Sequence, residues 1–103
     1  MSSKPKNKGV KRFDAIKSKT VLRVFFKDGV GTEGRTFYSD WVKDTKDPKN
    51  PELWKEVARD MVERLIRRNW NGKYRKAMLY ANTQPPRLLQ YWVDGKLLHD
   101  KLD

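Results

Sequence analysis

Two kinds of residue cluster in this chain have types and spacings that could do chemistry. The first is a set of three glycines, Gly29, Gly31 and Gly34, in the order G-x-G-x-x-G within Lys27-Asp-Gly-Val-Gly-Thr-Glu-Gly-Arg-Thr36. Glycines at this spacing let a backbone approach a phosphate and point free N–H groups at it. A dinucleotide site needs such a loop between a strand and a helix, with an acidic residue about 20 positions on. Here the residues before the glycines (Thr20-Val-Leu-Arg-Val-Phe-Phe26) and after them (Arg35-Thr-Phe-Tyr-Ser-Asp-Trp41) are both β-branched and aromatic, as strands are. A kinase-type loop also joins two strands, but the chain has neither H-R-D nor D-F-G and is too short for that fold. The glycines therefore predict a hairpin loop, with backbone amides assisting a phosphate contact at most.

The second cluster is basic and aromatic. The run from Arg64 to Tyr80 holds Arg64, Arg67, Arg68, Lys73, Arg75 and Lys76, with no acid between Arg64 and Lys76 and with Trp70, Tyr74 and Tyr80 interspersed. Arginine binds phosphate bidentately, and an exposed aromatic stacks on a base. Cations at a helix end also oppose its negative pole, which accounts for Arg67 and Arg68 but not for the whole run. Trp70 is read either as a base stacker or as a lid on the core. The N-terminal arm, residues 1–19, adds Lys4, Lys6, Lys8, Lys11, Arg12, Lys17 and Lys19 against the single acid Asp14. Its first residues lack the apolar groups to offset ordering entropy, which predicts a largely flexible arm that solubilises the chain or lies along phosphates. Val10, Phe13 and Ile16, three apart, predict a helical turn tying the arm to the domain.

Catalytic constellations are thin. His99 is the only histidine, there is no cysteine, and no serine sits in a nucleophile-elbow context, so no nucleophile–base pair is on offer. Asp40, Asp44 and Asp47 cluster without the pattern of a calcium loop and among Lys43, Lys46 and Lys49, as solvated loop residues do. No enzyme activity, cofactor or metal is expected.

The whole chain fits this picture. Its 103 residues allow one small domain, and 24 Lys and Arg against 13 Asp and Glu give a net charge of +11, which points to a polyanionic partner. The absence of cysteine suits a cytoplasmic protein. No apolar run is long enough for a membrane span or a signal peptide.

Strands are predicted over about 20–27 and 35–42. In the first, Leu22, Val24 and Phe26 share one face while Val21, Arg23, Phe25 and Lys27 share the other, where Phe37 and Trp41 of the second join Phe25 if register allows. Asn50-Pro51, or Asp47-Pro48 a turn earlier, starts a helix. Leu53, Trp54, Val57, Ala58, Met61, Val62, Leu65 and Ile66 make its apolar stripe, and Gly72 ends it. A strand over 74–82, a break at Gln84-Pro-Pro86 and a hairpin turning at Asp94-Gly95 complete the chain. The expected fold over 20–103 is α+β: a small antiparallel sheet in the order β-β-α-β-β-β with one amphipathic helix packed on one face.

Two functions of different class follow. One is a small nucleic-acid-binding accessory protein, for DNA or RNA, using a basic surface and exposed aromatics. The other is a protein-interaction module, an inhibitor or assembly component, that binds an acidic protein partner.

Overall fold

The computed structural model describes residues 12–29 and 33–102. Five strands, β1 (Thr20–Phe26), β2 (Gly34–Tyr38), β3 (Tyr74–Ala81), β4 (Arg87–Val93) and β5 (Lys96–Asp100), form one sheet in the spatial order β2-β1-β3-β4-β5. Every pairing is antiparallel. Between β2 and β3 run a short helix α1 (Trp41–Asp44) and a longer one, α2 (Leu53–Val62). The α2 axis continues through π-helical turns over Glu63–Asn69. The protein is the α+β domain its patterning predicts.

Alternation decides which side of the sheet is covered. Leu22, Val24 and Phe26 of β1 and Ala77, Leu79 and Ala81 of β3 are buried, and so are Ala58, Met61, Val62, Leu65 and Ile66 of the helical layer. These residues form one cluster with Tyr74, Leu89, Trp92 and Leu102, flanked by Phe37, Trp54 and Trp70. The helix thus lays its apolar stripe on one face of the sheet, and burial of that stripe is what holds so short a helix. Asn50 accepts a hydrogen bond from the Glu52 N–H at 3.1 Å and Asp47 one from the Lys49 N–H at 3.0 Å, two turns that lead into the helix. The helix itself begins at Leu53, so Glu52, which makes no side-chain cap bond, stands at the cap position in place of the expected Asn50. Gly72 (φ 78°) takes the left-handed conformation after the helix. Asp94 and Gly95 (φ 46° and 83°) make the two-residue turn of the last hairpin, where both central residues need positive φ.

The second strand is shorter than its composition suggests. It stops at Tyr38 because the Asp40 carboxylate accepts hydrogen bonds from the Val42 and Lys43 N–H groups and so begins α1. Trp41 therefore lies on a helical turn, and Phe37, opposite Leu22, packs toward the core rather than beside Phe25.

Polar contacts fasten the segment before β1. The Arg12 guanidinium pairs with Asp40 at 2.9 Å, and the Arg12 carbonyl accepts from the Trp41 N–H at 2.9 Å. Asn82 Nδ2 donates to the carbonyls of Ala15 and Ser18 at 2.9 and 2.8 Å. Phe13 and Ile16 are exposed, 54% and 88%, so the turn at Asp14–Lys17 is held by these bonds and by the Asp14 side chain, which accepts from the N–H groups of Ile16 and Lys17. Val10, the other residue of the expected apolar turn, lies outside the described residues.

Asp44 sits at the centre of this junction. It is 5% exposed, and its Oδ2 accepts from the Lys19 N–H at 2.9 Å and from the Ser39 hydroxyl at 2.8 Å. Its Oδ1 is buried without a hydrogen-bond partner among the described residues. Burial raises the carboxyl pKa above its ordinary 3.8, outweighing the two hydrogen bonds that lower it, and Asp40 raises it further. A raised folded-state pKa favours folding fully below the unfolded value and loses that contribution as pH rises through the folded one. Asp44→Asn keeps an acceptor for both donors and does not ionise. The stability of the wild type relative to this variant should therefore fall as pH rises above the ordinary value of 3.8, read from denaturant midpoints. A difference that grows with pH would mean that the two hydrogen bonds outweigh the burial.

Candidate nucleic-acid interface

The side of the sheet opposite the helical layer carries no helix among the described residues. The strand registers place its side chains in rows across the strands. One row is Tyr38, Val21, Tyr80 and Leu88; the next is Thr36, Arg23, Met78, Tyr91 and His99; the third is Gly34, Phe25, Lys76, Val93 and Lys96. Neighbours in a row stand about 4.5–5.5 Å apart at Cβ, so each row is a contact ladder. No row contains an acid.

Each strand supplies this face for a simple reason. With a period of 2, burying Leu22, Val24 and Phe26 forces Val21, Arg23 and Phe25 outward. In β3 the same alternation buries Ala77 and Leu79 and turns Lys76, Met78 and Tyr80 outward. Irregularities at Leu79/Tyr80 and Tyr91/Trp92 shift the register of β4 against its neighbours. Leu89 and Trp92 are thereby buried while Leu88 and Tyr91 stay partly exposed. Lys76 Nζ lies 5.1 Å from the centre of the Phe25 ring, a cation over an aromatic face. Gly34 stands opposite Phe25, and a Cβ added there would come within 3.3 Å of that ring.

Two shallow grooves cut the face. One, of about 540 Å³, is lined by Val21, Arg23, Thr36, Tyr38, Tyr80 and Asn82 with Ala15, Ala81 and Pro86. The other, of about 420 Å³, is lined by Arg23 and Arg75 around Phe25, Gly34 and Thr36, with Glu33 as its one carboxylate; Arg35 borders it at β2, but its guanidinium lies over the Phe37 ring at 5.0 Å. Arg23 borders both. A planar base suits the first groove, where tyrosine rings and an aliphatic floor face it, and a phosphate suits the second.

The residues singled out from sequence divide into three groups. Lys76 is on the open face, Arg75 lines the second groove, and Arg64 lies beside Phe13 and Tyr38 at the β2 edge. Arg67 and Arg68 stay in the helical layer on the other side, exposed, with Arg67 paired to Glu63 at 3.3 Å, and Lys73 is in the turn before β3. Trp70 packs on Phe26 with ring centres 4.6 Å apart and closes the end of the core. Arg12 is engaged by Asp40, and Lys4, Lys6, Lys8 and Lys11 lie outside the described residues. The run is thus divided between the helical layer, with Arg64, Arg67 and Arg68, and the sheet, with Arg75 and Lys76.

The sequence does not single out Tyr38 and Tyr91, whereas Tyr80 belongs to its basic and aromatic run and shares an alternating face with Met78 and Lys76. For Tyr38 the expected length of β2 hides the signal. Among the described residues no group of three or more His, Asp or Glu side chains is placed to hold a metal ion. His99 pairs across the ladder with Tyr91, and Asp40, Asp44 and Asp47 are engaged as a cap, a buried acceptor and a turn. No described helix is long and apolar enough to cross a membrane. Neither a protein-family model, nor a curated protein, nor a solved structure matches the chain.

Proposed function

We propose that this protein is a non-enzymatic nucleic-acid-binding accessory protein that presents the open face of its sheet to the polyanion. One observation carries the reading: rows of tyrosine and phenylalanine alternate with Arg23 and Lys76 on an uncovered face without an acid, in a chain of net charge +11. Cations there attract phosphates from a distance and hold them at contact, while aromatic rings accept any base because every base has a π-face. The lysines Lys4, Lys6, Lys8 and Lys11 add attraction without reading sequence.

A second reading, a module that binds an acidic protein, is favoured by Leu97 and Leu98, which are 40% and 61% exposed on the edge strand β5. An exposed edge offers unpaired backbone groups to another chain. The two readings separate in a titration of the full chain with a fluorescent oligonucleotide at increasing salt. Nucleic-acid binding gives a linear log–log fall in affinity, with a slope of about 0.7 per phosphate contact for a single strand and 0.9 for a duplex. Absence of binding at about 50 mM salt, where such contacts are strongest, leaves the acidic-protein reading.

A further inference from the structure

Resting on the nucleic-acid reading, we infer that the ligand is a single strand, with one base held in the groove between Tyr38 and Tyr80 and the adjoining phosphate held by Arg23 and Arg75. Tyr38 and Tyr80 flank Val21 in one row, two strand spacings or about 9–10 Å apart at the backbone. A single planar base fits against either ring above the Val21 side chain. A base pair does not fit, because the faces of its bases are already stacked within the duplex and only their edges reach a protein surface. The face therefore selects strands whose bases are free to splay.

The two grooves share Arg23 and succeed one another along β1. Rows two residues apart are separated by about 6.6–6.8 Å along a strand, a step within reach of one nucleotide from its base to a neighbouring phosphate. Arg23 and Arg75 line the second groove against the one carboxylate of Glu33, and guanidinium forks fit phosphate oxygens. Arg35, opposite Val24, lies over the Phe37 ring at 5.0 Å on the covered side. The chemistry used is base face and phosphate, so DNA and RNA strands are bound alike.

The test uses the full chain, a fluorescein-labelled oligothymidylate, an oligouridylate of equal length, and a hairpin duplex. The wild type is expected to bind both single strands at least tenfold more tightly than the duplex. Tyr38→Ala with Tyr80→Ala should weaken single-strand binding about tenfold or more, since each stacked base contributes on that scale, and should leave duplex binding unchanged. Tyr38→Phe with Tyr80→Phe keeps the rings and should bind as the wild type does, which separates stacking from the hydroxyls. Tyr38→Trp guards against a misfolded alanine variant: its new indole should be quenched saturably by oligothymidylate.

If nucleic acid binds but the alanine pair leaves single-strand affinity unchanged, or Tyr38→Trp is not quenched, the single-strand site is wrong while the broader reading stands. If no nucleic acid binds even at about 50 mM salt, the broader reading fails and this one with it. Self-association of the wild type that the alanine pair abolishes, without nucleic-acid binding, would assign the face to a second copy of the chain and overturn the inference.

Discussion

Replacing Leu79 by alanine should lower the stability of the domain by about 2–5 kcal/mol, the cost of deleting a core leucine and leaving a cavity behind. The expectation comes from where Leu79 sits. It is wholly buried in β3, which is bonded on one side to β1, with Leu22 opposite, and on the other to β4, with Gln90 opposite. A strand tied on both sides cannot move inward to fill the gap, and the helical layer above it is fastened by its own buried stripe. Domains of this kind are stable by only about 5–15 kcal/mol in total, so the loss is large. Leu98→Ala provides the contrast: on the exposed edge strand β5 it should stay within about 0.5 kcal/mol. Denaturant midpoints check both, and a change under about half a kcal/mol at Leu79 would contradict the assignment of the covered face.

The charges of the open face should matter for binding and little for folding. Arg23→Gln with Lys76→Gln removes two cations that stand beside the Met78 and Phe25 positions with no carboxylate in their rows. If each meets one phosphate of a single strand, the salt slope flattens by about 1.4 units, and affinity at about 0.15 M salt falls roughly tenfold. Both side chains lie at the surface, where such changes alter stability by about 0.5 kcal/mol or less. Arg67→Gln with Arg68→Gln should change the slope less, because these residues belong to the helical layer and Arg67 is already paired with Glu63. Equal effects of the two double variants would show that phosphates wrap both sides of the molecule, and a larger effect of Arg67 and Arg68 would move the site to the helix end.

Much of the fold is legible in the chain because its signals are local. The period of 2 in Thr20–Phe26, the i, i+3, i+4 stripe from Leu53 to Ile66, and the Asp94-Gly95 turn each specify an element without reference to the rest of the molecule. The end of β2 was less legible because Phe37, Tyr38 and Trp41 all favour strands, and the cap formed by Asp40 wins through two backbone N–H groups that composition does not display. The π-helical turns have no sequence signal in Glu-Arg-Leu-Ile-Arg-Arg-Asn, whose residues serve an α-helix equally well.

The candidate site was half legible for a related reason. A basic run is contiguous in sequence, and contiguity suggested a patch from Arg64 to Lys76. The chain passes from a helix on one side of the sheet into a strand within it, so Arg67 and Lys76 end on opposite sides. The residues that do meet come from β1, β2 and β3, and only the register brings Tyr38, Arg23 and Tyr80 together. Trp70, the most conspicuous stacking residue in the sequence, is held by Phe26.

Amide resonances of the full chain, followed while an unlabelled oligothymidylate is added, report residue by residue where the strand lies. Saturable shifts of Arg23, Thr36, Tyr38, Met78 and Tyr80 are expected, with Arg67 and Arg68 little changed. Shifts confined to the π-helical turns Glu63–Asn69, or no shifts at any site, would contradict a site on the open face.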